Sequence, residues 1–176
     1  MTNKFIAGLL GLFAISLANA SEHPAFVDGS KPFTAIMDVN RQAQAWAVCA
    51  ASYDIMSTIM KPESPVRSQQ LRELSNGAVL SIGMTLVKNE LEQDISPERF
   101  KTLWDNSKVA MTEWPQTKLT SILSEAEELG TEGAREFGKR INATVVICIN
   151  NLEAQRKYLD DWHELANSGL LEMPKN

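Results

Sequence analysis

The sequence predicts an all-α fold, a helical bundle of about five helices, and three observations carry that prediction. Apolar residues recur every three or four positions through most of the chain, which keeps one side of a 3.6-residue helix on the core. Ser-Pro pairs stand where helices should begin. No stretch makes a convincing strand with a partner. At 176 residues the chain suits one ordinary domain with a single core.

The first twenty residues, MTNKFIAGLLGLFAISLANA, read as an address label. Lys4 is their only charge, an apolar run from Phe5 to Leu17 follows, and Ala18-Asn19-Ala20 offers small residues for cleavage. That run is shorter than the ~20 residues a membrane span requires. We therefore expect a signal peptide over 1–20, export to the bacterial periplasm, and no stable membrane insertion after cleavage. Residues 21–37 are polar and broken by Pro24, Gly29 and Pro32, as in a flexible leader. A single helical domain over 38–170 and a tail over 171–176 complete the expected layout.

The first helix starts near Asp38 and carries Val39, Ala43, Trp46, Cys49, Tyr53, Met56 and Met60 on one stripe. Pro62 and Pro65 end it and open the second, with Ser64 as cap and Pro65 at the first helical position. This second helix should reach about Gln93. Its segment AVLSIGMTLV, Ala78 to Val87, is apolar nearly all round, so it sits centrally or lines a cavity. Ser96-Pro97 opens a third helix through Phe100, Leu103, Ser107 and Ala110, which Pro115 should end or kink at Trp114. A fourth segment through Leu119, Ile122, Ala126 and Leu129 stops at Gly130, a C-cap glycine. The longest periodic stretch follows, from Thr131 through Phe137, Ile141, Val145, Cys148, Leu152, Gln155, Leu159 and Trp162 to Ala166.

Cys49 and Cys148 are the only cysteines, and each lies on the apolar stripe of its helix. Two cysteines in an exported protein pair by default, so the first and last helices should be cross-linked by a disulfide. The bridge would close a loop of about 100 residues and constrain the unfolded chain by nearly 5 kcal/mol in the chain-entropy account. Ala43, Ala45, Ala47, Ala50 and Ala51 around Cys49 suit a close helix approach.

Composition excludes several tasks. A formal net charge of −5 argues against a general nucleic-acid binder, which needs a basic patch. Two cysteines make neither a zinc ribbon nor an iron–sulfur cluster, and Asp160 with His163 is a sparse ligand pair at a helix end. No Gly-x-Ser-x-Gly, phosphate loop or His-Glu-x-x-His occurs, so no metal, cofactor or nucleophile is expected.

What remains favours binding. Trp104, displaced from its helix's main stripe, and Trp114, at a break, are candidate interface anchors. Glu125, Glu127, Glu128 and Glu132 around Gly130 form an acidic edge that would steer a basic partner. Asn76, Leu80, Met84, Asn151 and Gln155 are polar and apolar residues of a candidate pocket or, for the amides, of an interhelical network. The leading expectation is a protein-binding module, with an inhibitor or immunity-type protein of a cell-envelope enzyme as one form. The alternatives are a periplasmic carrier of a small hydrophobic ligand and a hydrolase using the Glu125–Glu132 carboxylates.

Overall fold

The computed structural model describes residues 31–91 and 96–171, and every regular element within them is a helix. A 3-10 turn at Phe33–Ala35 precedes α1 (Val39–Met60), α2 (Pro65–Leu91), α3 (Pro97–Asn150) and α4 (Leu152–Asn167). The signal-peptide expectation lies outside the described residues.

The range of α3 hides a reversal. Gly130 has φ 57° and ψ −162°, a backbone region that essentially only glycine occupies. Across it, Arg140 Nη1 pairs with Glu125 Oε1. In an unbroken helix residues 125 and 140 would stand roughly 22 Å apart along the axis. The chain therefore doubles back at Gly130, and α3 is a hairpin of a proximal limb and a distal limb. With α1, α2 and α4 these make five helices among the described residues, the number the periodicity implies.

Two helix boundaries differ from expectation. The proximal limb runs through Pro115 without leaving helical geometry. A proline removes one bond, from its own missing N–H to the carbonyl four residues back, and Pro115 is buried, so packing holds the turn together. The long C-terminal stretch, conversely, is divided at Asn151 (φ −103°, ψ 10°) into the distal limb and α4. The apolar spacing passes through that break in phase, which is why it reads as one helix.

α1 is the centre of the bundle. Its start is capped by Asp38, whose Oδ1 accepts from the Arg41 N–H at 2.9 Å. From Gln42 to Tyr53 nearly every residue is buried, on all sides of the helix rather than on one stripe. Alanines 43, 45, 47, 50 and 51 and Ser52 make this possible, because small side chains let neighbours close in from every direction. α2 returns antiparallel to α1, pinned by Ser75 Oγ donating to the Ala50 carbonyl (3.1 Å) and Ser57 Oγ donating to the Ser68 carbonyl (2.9 Å). Its central Ala78, Ile82, Met84 and Val87 are buried, the position that an all-round apolar run demands.

The disulfide joins α1 to the last turn of the distal limb. Cys49 and Cys148 have α-carbons 5.6 Å apart, and both residues are fully buried. The core also extends before residue 38: Phe33 is buried and stands edge-on to Trp46 at 4.8 Å between centroids, and Ile36 is buried beside it.

Candidate functional site

The five candidate pocket residues do not line one cavity. Asn151 and Gln155 are buried at the junction where α3 meets α4 and bond between elements. Asn151 Oδ1 accepts the Phe33 N–H at 2.7 Å, and its Nδ2 donates to the Ile147 carbonyl at 2.9 Å. Gln155 Nε2 donates to the Leu74 carbonyl at 3.2 Å, packing over Gly77 so closely that a Cβ there would collide with it. Gln155 Oε1 stays without a partner among the described residues.

Met84 lines a hollow of about 560 Å³ between α2 and α4, together with Lys88, Asp161, Glu164, Leu165, Ser168 and Leu170. Its floor is apolar and its rim charged. Lys88 Nζ lies 5.8 Å from the centroid of the Tyr158 ring, within cation–π range, and Tyr158 Oη accepts from Gln42 Nε2 at 3.0 Å. Leu80 is half-buried against the core. Asn76 belongs to a different hollow, of about 490 Å³, on the seam between α1 and α2 with Asp54, Ser57, Thr58 and Arg72.

Of the candidate interface residues, Trp104 is in the core. It is 8% exposed, stacks on Phe100 with centroids 6.4 Å apart, and sits over Gly83 of α2. Trp114 is half-buried and packs on the core edge. The glutamates stand on the hairpin. Glu125 is held by Arg140, whereas Glu127 and Glu128 are exposed, and none of them lines either hollow. Between Leu123 and Arg140 no described side chain is buried, so this part of α3 is an arm that the core does not enclose.

Local charge follows the same geometry. Hydrogen bonds from Lys108 and Lys101 hold the Asp105 carboxyl below its ordinary range. The Glu98 carboxyl is lowered by its own backbone N–H and by Ser96 at the start of α3. Burial pushes the Tyr53 phenol well above its ordinary value, and its oxygen has no hydrogen-bond partner among the described residues.

Residues that sequence reading missed, Lys88, Asp161 and Glu164 in one hollow and Asp54 and Arg72 in the other, meet only across helix pairs. Their spacing along the chain carries no signal until helix neighbours are known. Among the described residues no group of three His, Cys, Asp or Glu side chains is placed to hold a metal, and no helix is long and apolar enough to cross a membrane. No protein-family model, curated protein or solved structure matches the chain.

Proposed function

We propose that this chain is an exported, disulfide-stapled helical module that binds another protein through the α3 arm. The arm itself carries the reading. It is a two-helix hairpin that folds back at Gly130, has no buried side chain among the described ones between Leu123 and Arg140, and presents Glu127 and Glu128 to solvent. Exposed carboxylates on a projection meet a partner before the rest of the surface does, and they favour one with basic character. An inhibitor or immunity-type protein acting on a cell-envelope enzyme fits a periplasmic location and this size.

The test is a pull-down from periplasmic extract with the full chain and with the Glu127→Lys, Glu128→Lys double variant. A protein retained by the first and lost by the second supports the reading. Capture of the same proteins by both overturns it.

A carrier of a small hydrophobic ligand is the second reading, supported by the apolar-floored hollow at Met84, Leu165 and Leu170, whose volume falls within the range of small-molecule sites. Native mass spectrometry decides it. An added lipid-sized mass that disappears in Met84→Lys favours the carrier, and bare chain mass rejects it.

A further inference from the structure

We propose that the α1–α2 seam at Arg72 and Asp54 binds a small zwitterion, an amino acid or short peptide with a free ammonium and a free carboxylate. This goes beyond the arm reading and does not depend on it.

The hollow here holds about 490 Å³ and is lined by polar side chains alone: Asp54, Ser57 and Thr58 from α1, and Arg72 and Asn76 from α2. Arg72 is fixed from behind. Its Nε donates to Ser57 Oγ at 3.3 Å, and Ser57 is 2% exposed and itself donates to the Ser68 carbonyl. With that proton committed, the Ser57 oxygen acts toward Arg72 as an acceptor only. The guanidinium is thus held by its Nε edge, while its two terminal nitrogens have no ion-pair partner among the described residues. A fork oriented in this way is suited to a carboxylate.

The opposite wall has the opposite character. Asp54 lines the same hollow and forms no ion pair with Arg72 or any other described residue. Thr58 Oγ1 donates to the Asp54 carbonyl at 3.0 Å, so its lone pairs, not its proton, face outward. Asn76 stands one turn beyond Arg72 on the same face of α2 and adds an amide donor. The α2 side thus carries the positive charge and offers donors, and the α1 side carries the negative charge and offers acceptors. A simple anion would be repelled by Asp54 and a simple cation by Arg72, whereas a molecule with both charges satisfies each wall.

An NMR titration of the full chain with tri-alanine, N-acetyl-tri-alanine and tri-alanine amide tests this, observed at the Arg72 Nε–H and the Asn76 side-chain amide. Tri-alanine should give saturable shifts, and each capped peptide should bind at least about tenfold more weakly, a factor corresponding to 1.4 kcal/mol. Arg72→Ala should abolish the tri-alanine response at the Asn76 side-chain amide. Asp54→Asn should remove the preference for tri-alanine over its acetylated form, by weakening tri-alanine and by relieving the repulsion that Asp54 exerts on the acetylated anion. Absence of saturable shifts, equal binding of all three peptides, or undiminished binding by either variant overturns the proposal.

Discussion

Asn151 fixes the backbone of Phe33 across the whole length of the domain sequence: its Oδ1 accepts the Phe33 N–H at 2.7 Å in a buried setting. The same side chain donates to the Ile147 carbonyl, so one amide ties the entry of the fold to the break between α3 and α4. Asn151→Ala removes a buried hydrogen bond to the Phe33 N–H, a loss of about 1–3 kcal/mol. Urea unfolding should report that loss, and hydrogen exchange at Phe33 should accelerate. An unchanged midpoint would contradict the assigned role.

The contact between Gly77 and Gln155 sets how closely α2 and α4 approach. Gly77→Ala places a methyl against Gln155 Nε2 and should destabilise by about 1–3 kcal/mol. In a double-mutant cycle, Gln155→Ala should recover part of that loss, because the two residues are in contact. Strict additivity would show that the approach is set elsewhere.

Gly130 makes a different demand. Nothing lies within 4 Å of a Cβ built there, yet its φ of 57° and ψ of −162° are strained for any other residue. Gly130→Ala should cost about 1–3 kcal/mol from the backbone alone. Local hydrogen exchange in the arm, compared with that of α1, should show the change confined to the hairpin.

The disulfide should resist reductant in the native state, since both cysteines are fully buried. Thiol labelling should become efficient only after denaturant is added. Replacing both cysteines by alanine should lower stability by about 2–5 kcal/mol, read from urea titrations. Labelling of both sulfurs in native protein from its own compartment would refute the staple.

Tyr53 predicts an alkaline limit. Its phenol is raised in the folded state by burial, so the protonated form is the one the fold retains. Its contribution is complete below the unfolded value near pH 10 and declines as pH rises above it, where the unfolded chain loses the proton first. Stability measured from pH 9 to 11 should fall, and Tyr53→Phe should flatten that slope. At neutral pH the same substitution should be neutral or mildly stabilising, because it removes a buried oxygen with no partner among the described residues.

The all-helical class and the cysteine pairing were legible in the sequence because both depend on which residues share a stripe, whereas the count of five agrees because an unbroken Pro115 offsets an extra break at Asn151. The cap at Ser96 was legible too, as was a helix break at Gly130. Less visible was the burial of α1 on all sides, since Ala and Ser at 45, 47, 50 and 52 give little contrast between faces. Of the two outcomes expected at Pro115, an end of the helix does not occur, because a buried proline costs a helix one bond but not its packing. Asn151 was unseen as a break because the stripe continues across it from Cys148 to Gln155. Trp104, a candidate anchor that could equally cap the core's edge, lies in the core: the stripe of the proximal limb widens to include it where Phe100 and Gly83 pack against it. The two hollows required the helix neighbours themselves, which periodicity does not supply.

The covalent bridge between residues 49 and 148 encloses Gly130 within its loop. A protease that clipped the exposed hairpin tip would consequently liberate nothing. Both pieces would travel together as one species of unchanged size under non-reducing conditions and separate only once the bridge was opened, so the arm could be nicked while the scaffold that carries it stayed whole.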